Sequence, residues 1–232
     1  MTRSPRKNSR ALVMLSGGLD SAVALYWVLR RGYDVETITF DYHNRSRKER
    51  DAALSFSAIG KNCYTIDVRF LKEIASLKNK IRNKKLLKAP EGYIPSRNII
   101  FYGIASTFAE VIGARYIVGG HNRDDVRSFR DASELFFAQF NKTTSLGLFT
   151  GGRTGRVIQP LAKLSKSQVV LLGSKLGVPF EKTWSCYRSG LEPCEVCPSC
   201  RLRSKAFEEA GIFDPLTAGR DPVSDNHKTG LP

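Results

Sequence analysis

The sequence predicts an α/β protein with a doubly wound parallel sheet, followed by a small cysteine-rich segment near the C-terminus. Short apolar runs, of the kind that buried parallel strands show, alternate with stretches of helical periodicity over most of the 232 residues. This alternation is typical of a parallel sheet with helices on both faces. It stops past Val178, and four of the five cysteines follow close together.

Five strands and five helices are predicted in order along the chain. The strands cover residues 11–15, 35–40, 63–68, 116–118 and 157–158. One helix follows residue 18 and ends at Gly32, and the others cover residues 46–59, 98–112, 133–147 and 165–176. Ser165 is a favourable N-cap and Gly177 a favourable C-cap for the last of these. Cys63 lies in an apolar strand and is expected in the core.

The pattern divides the chain into four parts. Residues 1–10 are predicted to be a disordered basic N-terminus, residues 11–180 the α/β domain, residues 181–215 the cysteine segment, and residues 216–232 a flexible tail. Within the α/β domain, residues 70–95 lack clean periodicity, so an irregular or partly helical excursion is expected there.

Composition and charge favour a cytoplasmic protein without a membrane segment. No apolar run reaches the roughly 18 residues of a membrane span, and no signal peptide is recognisable. The formal net charge is +15, and residues 78–88 carry six cations and no acid. Such a run attracts polyanions, but the absence of interleaved aromatic residues favours a solvated face or loop.

A glycine-rich loop lies between the first strand and the first helix. Leu15 precedes it, and its residues are Ser16, Gly17, Gly18, Leu19, Asp20 and Ser21. The two glycines let several N–H groups converge on one anion, and the helix start adds partial positive charge. Asp20 indicates a metal ion between its carboxylate and phosphate groups. A serine-rich turn with a capping aspartate is the alternative interpretation.

The cysteine spacing predicts a closed metal site. The four ligands would be Cys186, Cys194, Cys197 and Cys200. Four thiolates are the usual ligand set of a structural, tetrahedral Zn²⁺ site, which leaves no position for a catalytic water. An iron–sulfur cluster uses the same ligands, and free cysteines are the remaining alternative. An intracellular cluster of this kind favours metal binding over disulfides.

Several motifs together resemble the 7-cyano-7-deazaguanine synthases, the QueC family of the N-type ATP pyrophosphatases. Residues 16–21 are similar to the pyrophosphate loop of that superfamily, and we use this name for them below. Further matching segments are Phe40-Asp41-Tyr42, Pro95-x-Arg97-Asn98, residues 113–122, residues 160–166, Thr183-Trp184-Ser185-Cys186-Tyr187 and Pro193-Cys194 through Arg201. The resemblance covers roughly residues 11–213 and implies an adenine nucleotide α hydrolase-like fold.

The resemblance implies an ATP-dependent ligase that forms a carbon–nitrogen bond. In this family ATP adenylates 7-carboxy-7-deazaguanine, ammonia displaces AMP, and a second adenylation leads to the nitrile, a precursor of queuosine or archaeosine. The implied cofactors are ATP, Mg²⁺ and Zn²⁺. The expected nucleotide-binding residues are Leu15, Ser16, Gly17, Gly18, Leu19, Asp20 and Ser21. Of these, Ser16, Asp20 and Ser21 are the expected catalytic residues. Arg97 and Lys163 are candidates for further phosphate or adenylate contacts, with ordinary surface ion pairs as the alternative.

The loop that would bind the base departs from the family pattern. Asp125, Phe129, Asp131 and Phe137 are the expected substrate residues, since carboxylates accept hydrogen bonds from a guanine-type edge and rings stack on it. The family's Y-S-G-Y-P is replaced by residues 126–130, which include Arg127 and Arg130. This change leaves a second hypothesis open, in which the activated acid is joined to an amine of an acidic protein in antiphage defence.

Two further expectations concern partners. A homodimer is expected, and a nucleic-acid-binding zinc module is the non-enzymatic alternative, which the pyrophosphate loop disfavours.

Overall fold

The computed structural model describes residues 9–43, 45–73, 82–88, 93–188 and 190–217. Most of the predicted disordered N-terminus, the predicted tail from residue 218 onward and residues 78–81 of the basic run lie outside the described residues. Arg10, assigned to the N-terminus from the sequence, is instead the first residue of a strand.

Five parallel strands form a single sheet among the described residues. They are β1 (Arg10–Met14), β2 (Asp34–Asp41), β3 (Cys63–Asp67), β4 (Tyr116–Val118) and β5 (Arg156–Ile158). Their order in the sheet is β3-β2-β1-β4-β5, and every neighbouring pair is parallel. The chain therefore winds outward from β1 in one direction and then from β4 in the other. The switch point, where ligands of such sheets bind, lies between β1 and β4.

Seven α-helices surround the sheet in the described part of the chain. They are α1 (Leu19–Leu29), α2 (Arg47–Ser57), α3 (Arg97–Val111), α4 (Asp125–Ser128), α5 (Glu134–Gly147), α6 (Lys166–Leu176) and α7 (Pro198–Ala210). Short 3₁₀ turns cover Arg69–Leu71, Lys84–Lys88, Arg130–Ala132 and Phe180–Lys182. The predicted ends of α6 are confirmed: Ser165 forms a capping box with Gln168, and Gly177 adopts the left-handed conformation at φ 74°.

The core is divided by the sheet into two layers, as a doubly wound fold requires. On one face, Ala11 and Val13 of β1 pack with buried residues of α1, α6 and α7. On the other face, Leu12 of β1 packs with Ile38 of β2 and with α3. Successive strand residues point to opposite faces, so a continuous apolar run in β1 supplies both layers. The predicted fold class is confirmed.

Cys63 corrects one prediction. Its side chain is exposed, whereas the apolar run suggested a core position. β3 is an edge strand in which exposed residues alternate with partly buried ones, and Cys63 falls on the solvent side of that alternation. Tyr64 and Ile66, on the other side, pack against the core.

None of the helices in the described ranges is long and apolar enough to cross a membrane.

Candidate active site

The pyrophosphate loop lies at the carboxyl end of β1, directly beside the end of β4. A Cβ atom added to Gly120, just past β4, would lie 2.9 Å from the backbone of Asp20 and Ser21. Only glycine permits this approach. The segments that follow β1 and β4 therefore meet at the switch point of the sheet.

Gly17 is required by both conformation and space. Its φ of +90° lies outside the usual range of residues with a side chain, and an added Cβ would lie 2.4 Å from the carbonyl oxygen of Glu49 in α2. The loop therefore passes against the backbone of α2 at Gly17.

The two serines close the loop into a ring. The Ser21 hydroxyl donates to the Gly18 carbonyl at 2.9 Å, and the Gly18 N–H donates to the Ser16 hydroxyl at 3.1 Å. The two hydroxyl oxygens lie 3.1 Å apart. These contacts fix the positions of both hydroxyl groups within the loop.

Several backbone donors of the loop remain available. Within the described residues, no acceptor takes the N–H groups of Gly17, Leu19 or Asp20. Leu19 and Asp20 form the first turn of α1, where unpaired N–H groups and the helix dipole favour an anion. The arrangement can bind a phosphate or pyrophosphate group.

Asp20 is held between two partners from other elements. It forms an ion pair with Lys166, the first residue of α6, and accepts a hydrogen bond from the Asn122 side chain at 3.3 Å. Burial alone would lower the pKa of Lys166, but the carboxylates of Asp20 and Asp125 outweigh it, so the pKa is raised. Lys166 therefore stays charged near neutral pH.

Asn122 organises the loop after β4. Its side chain is buried, and its carbonyl oxygen accepts the N–H groups of Asp124 at 2.8 Å and Asp125 at 3.3 Å. Asp124 in turn accepts the N–H of Lys166 at 2.9 Å. One asparagine thus connects the ends of β1 and β4 with the start of α6.

Lys163 and Arg97, predicted as phosphate contacts, lie in different surroundings. Lys163 is exposed, and none of its described neighbours forms an ion pair or a side-chain hydrogen bond with it. Lys166 instead reaches Asp20. Arg97 begins α3, and its charge acts on Tyr42, just past β2, and on Glu49 in α2, which accepts a hydrogen bond from the Tyr42 hydroxyl at 2.7 Å.

Two of the predicted base residues have well-defined partners. Asp125 accepts the Asn122 N–H at 3.0 Å, and its carboxylate lies 3.8 Å from the His121 ring nitrogen. Burial works to raise the pKa of Asp125, but His121 and Lys166 outweigh it, and the pKa is lowered. Asp131 accepts the Asn98 N–H at 3.3 Å, which ties the loop to α3.

The two predicted aromatic residues occupy different environments. Phe129 is partly exposed and stacks on Tyr93, with ring centroids 6.3 Å apart and an interplanar angle of 11°. Phe137 is buried, and its ring meets Tyr102 edge to face at 4.8 Å. Phe129 thus offers an accessible ring, whereas Phe137 is part of the core beneath the loop.

The four predicted metal ligands converge. The sulfur atoms of Cys186, Cys194, Cys197 and Cys200 all lie within 4.8 Å of one another, and none is in a disulfide. Backbone N–H groups point at three of the sulfurs, including that of Cys197 onto Cys194 at 3.4 Å. Burial works to raise the pKa of Cys194, but the N–H groups of Cys197 and Val196 outweigh it and lower the pKa to about 6. The cluster fits a tetrahedral metal ion.

The cysteine segment contacts the pyrophosphate loop through Trp184. Its backbone N–H donates to the Gly17 carbonyl at 2.9 Å, and its indole N–H donates to the Cys186 carbonyl at 3.0 Å. Farther along the segment, the buried Arg203 forms two hydrogen bonds with Asp214, at 2.7 and 2.8 Å. It also donates to Thr183 at 2.6 Å.

Four residues of this arrangement were not singled out by the sequence: Asn122, Lys166, Arg203 and Arg45, whose guanidinium donates to the Ser16 carbonyl oxygen at 2.8 Å. Asn122 and Lys166 stand inside matched motifs, which was the available signal. Arg45 and Arg203 lie among other cations, and only their burial in the structure sets them apart.

Comparison with known proteins supports the family indicated by the motifs. Residues 10–211 match the family described as queuosine biosynthesis protein QueC. The 7-cyano-7-deazaguanine synthase of Thermoplasma acidophilum is 37% identical over 226 residues, covering 94% of this chain and 95% of the relative. That of Trichodesmium erythraeum is 34% identical, covering 89% of this chain and 99% of the relative.

A solved structure supports the fold alone. NMN synthetase from Francisella tularensis aligns with a TM-score of 0.52 at 18% identity, covering 89% of this chain and 79% of that protein. The family match spans the sheet, the pyrophosphate loop and the cysteine cluster in one continuous stretch. The chain belongs to the family of the queuosine biosynthesis protein QueC.

Proposed function

We propose that this protein converts 7-carboxy-7-deazaguanine and ammonia into 7-cyano-7-deazaguanine at the expense of two ATP molecules. The observation that carries the proposal is the pyrophosphate loop, whose N–H groups at the start of α1 have no acceptor in the described part of the chain, together with the Asp20–Lys166 pair. The names of relatives matched over 95% and 99% of their length supply the product, and the family resemblance implies the substrate.

The proposed first step is adenylation of the carboxylate. A carboxylate oxygen attacks the α-phosphorus of ATP, and the bond to pyrophosphate breaks. The N–H groups of Gly17, Leu19 and Asp20, which have no acceptor among the described residues, would donate hydrogen bonds to the oxygens on which negative charge develops as pyrophosphate leaves. Ammonia then adds to the activated carbonyl carbon, and AMP leaves to give the amide.

The second adenylation removes the remaining oxygen. The amide oxygen attacks a second ATP, pyrophosphate leaves again, and loss of AMP with two protons from nitrogen gives the nitrile. Each AMP carries away one of the two carboxylate oxygens, so atoms balance with two AMP and two pyrophosphate as products. Both steps use the same loop, since both release the same leaving group.

We propose that Asp20 holds Mg²⁺ and that the cysteine cluster holds Zn²⁺. A carboxylate oxygen fits the preference of Mg²⁺ for hard oxygen ligands, and four converging sulfurs fit the preference of Zn²⁺. Bound Mg²⁺ would neutralise charge on the departing pyrophosphate. Lys166, which pairs with Asp20, would shift toward a phosphate oxygen, and Lys163 and Arg97 are proposed as further contacts with ATP or adenylate.

The base is proposed to bind at the loop after β4. Asp125 has a lowered pKa and is therefore ionised at neutral pH, ready to accept hydrogen bonds from a guanine-type N–H edge. Phe129 offers a partly exposed ring for stacking, and Asp131 is a second candidate acceptor. Phe137 supports this loop from the core.

A second candidate function replaces ammonia with an amine of an acidic protein. It is favoured by Arg127 and Arg130, which are exposed on the same loop as Asp125 and Asp131. Two cations beside the site would attract an acidic acceptor, whereas ammonia gains nothing from them. The predicted homodimer and the predicted cytoplasmic location stay predictions.

The test is a product analysis. The protein is incubated with ATP, Mg²⁺, 7-carboxy-7-deazaguanine and ammonium, and mass spectrometry is used to follow the acid, the amide, the nitrile and AMP. Formation of nitrile with two AMP per product supports the first candidate. Release of AMP and pyrophosphate without amide or nitrile rejects it and favours the protein acceptor. No ATP turnover with this acid rejects both.

A further inference from the structure

Two carbonyl groups of the pyrophosphate loop accept hydrogen bonds from residues outside the loop. The Ser16 carbonyl oxygen accepts a hydrogen bond from Arg45 Nη2 at 2.8 Å, and the Gly17 carbonyl oxygen accepts one from the Trp184 N–H at 2.9 Å. The C=O and N–H of a trans peptide point in opposite directions. Holding the Ser16 carbonyl toward Arg45 therefore turns the Gly17 N–H away from Arg45, and no described residue accepts that N–H.

Arg45 is itself rigidly fixed. Its Nη1 donates to the Phe40 carbonyl at 2.7 Å and to the Thr39 hydroxyl at 2.8 Å, both at the end of β2. Its Nε lies 3.8 Å from the Glu49 carboxylate, and its side chain is 1% exposed. One planar guanidinium thus connects the end of β2 with the loop after β1. Lysine has a single ammonium group and cannot reproduce this fork.

Burial of this charge calls for a role beyond solubility. Removing a guanidinium from water is expensive even when most of its donors are paired, and an apolar residue could fill the same space. A role for the hydrogen bond to Ser16 in orienting the peptide that binds an anion would explain why this desolvation cost is retained.

We propose that Arg45 is a positioning residue of the pyrophosphate loop. It orients the Ser16–Gly17 peptide so that the Gly17 N–H faces the anion, and it acts through this peptide without touching the nucleotide. The inference rests on the proposed function only in naming pyrophosphate as the anion. The orientation of the peptide is a property of the free protein.

The first experiment measures the loop without ligand. Backbone order parameters of the Gly17 and Gly18 amides are measured by ¹⁵N relaxation in the wild type, in Arg45→Lys and in Arg47→Lys. Arg47 is the matched control, because it lies at the start of α2 and its side chain is 92% exposed. In Arg45→Lys we expect the Gly17 order parameter to fall from about 0.85 to below about 0.6, with no change in Arg47→Lys.

The second experiment measures binding of inorganic pyrophosphate with Mg²⁺ by calorimetry. Arg45→Lys loses the charge-assisted hydrogen bond that orients the Ser16 carbonyl, so its affinity for pyrophosphate should fall about tenfold to a hundredfold. Arg47→Lys should bind pyrophosphate as the wild type does. Guanidinium ion at millimolar concentration should restore part of the affinity of Arg45→Ala. If Arg45→Ala does not fold, the comparison of the two lysine variants decides.

The outcomes separate this inference from the proposed function. An unchanged Gly17 order parameter in folded Arg45→Lys overturns the inference, even if pyrophosphate binds more weakly. A lowered order parameter with weaker binding supports it. If the wild type fails to bind pyrophosphate, the proposed function loses its basis, and the order parameter alone decides the role of Arg45.

Discussion

At the residue scale, the ion pair between Asp20 and Lys166 compensates the negative charge of the pyrophosphate loop within the protein itself. Lys166 neutralises the carboxylate, and Asn122 donates to the same group at 3.3 Å. In the proposed reaction, a phosphate group or Mg²⁺ at the loop would change the partners of both residues. The sequence left open an alternative in which Asp20 caps the helix. That alternative is not observed, because no side chain forms a cap hydrogen bond at the start of α1.

Asp20→Asn tests the metal-binding role. The amide keeps the size of the side chain but removes the negative charge that Mg²⁺ requires, so pyrophosphate release should fall about a hundredfold or more. The measurement is pyrophosphate release with ATP and 7-carboxy-7-deazaguanine. Asp51→Asn is the control, because Asp51 pairs with Arg47 on an exposed part of α2 and should keep full activity. Equal rates for both variants would contradict the role.

Gly17→Ala tests the space behind the loop. Left-handed strain of about 1–2 kcal/mol adds to a collision with the Glu49 carbonyl, so we expect a loss of about 2–5 kcal/mol in the free energy of unfolding. Gly32→Ala separates the two effects. Gly32 also has a positive φ, but an added Cβ meets nothing within 4 Å, so about 1 kcal/mol is expected. Urea unfolding measures the loss of stability in both variants. Similar losses would mean that the collision with the Glu49 carbonyl contributes little to the free energy of unfolding.

Residue identity could be predicted where a motif is rigid and could not where helix register decides. The pyrophosphate loop could be predicted from its two consecutive glycines, because a turn of this kind between a strand and a helix is typical of an anion-binding loop. Lys163 and Lys166 stand three residues apart in one basic motif. Only the start of α6 at Lys166 turns the second toward Asp20.

At the element scale, the cysteine segment supports the α/β domain at two points. Trp184 links Gly17 to Cys186 by backbone and indole hydrogen bonds. Arg203 of α7, which pairs with Asp214, donates to the carbonyl oxygen of Phe180 in the α/β domain at 3.1 Å. The spacing of cysteines predicted their convergence. It could not predict the contact with the loop, because that contact depends on the path of the chain between Val178 and Cys186.

Cys197→Ser should leave the protein poor in metal and unstable. The cluster loses one of four sulfur ligands, and binding of a structural metal is a large part of the folding free energy of such a segment. We expect metal content, measured by plasma mass spectrometry, to fall from one zinc per chain to well below half. Cys63→Ser is the control, since Cys63 is exposed on β3 and outside the cluster. A stable, zinc-replete Cys197→Ser protein would refute the structural site.

Arg203→Met tests the second anchoring point. It leaves the Asp214 carboxylate buried without its partner, for which a loss of about 3–5 kcal/mol is expected. Lys205→Met, two residues along the same helix, removes an exposed pair with Glu209 at 3.7 Å and should change stability by less than about 0.5 kcal/mol. Chemical unfolding distinguishes the two, and equal effects would mean that Arg203 contributes no more than a surface charge.

At the scale of the whole molecule, all proposed chemistry lies at one end of the sheet. β1, β2 and β4 are parallel, so the loops that follow them open at the same edge. The alternation of strand and helix was sufficient to predict a parallel sheet. It did not predict the strand order, because the position of β4 beside β1 involves packing of α3 against both strands, which no local pattern encodes.

This polarity predicts that two asparagines with similar bonding differ in their effect on activity. Asn122, past β4, accepts two N–H groups and donates to Asp20, whereas Asn141 on α5 holds both the N–H of Val157 at 2.7 Å and its carbonyl at 2.9 Å on the edge strand β5. Each change to alanine leaves backbone groups without their partner and should lower the free energy of unfolding by about 1–3 kcal/mol.

The two alanine variants should differ in activity. Asn122→Ala frees the loop that carries Asp125 and removes a partner of Asp20, so pyrophosphate release should fall about a hundredfold at a temperature where the protein stays folded. Asn141→Ala should keep its rate within about twofold, because its bonds stabilise β5 and do not reach the carboxyl edge of β1. Steady-state kinetics with circular dichroism at the same temperature makes the comparison. An equal loss of rate in both variants would show that Asn122 acts through stability, and the connection between the ends of β1 and β4 would then have no part in the chemistry.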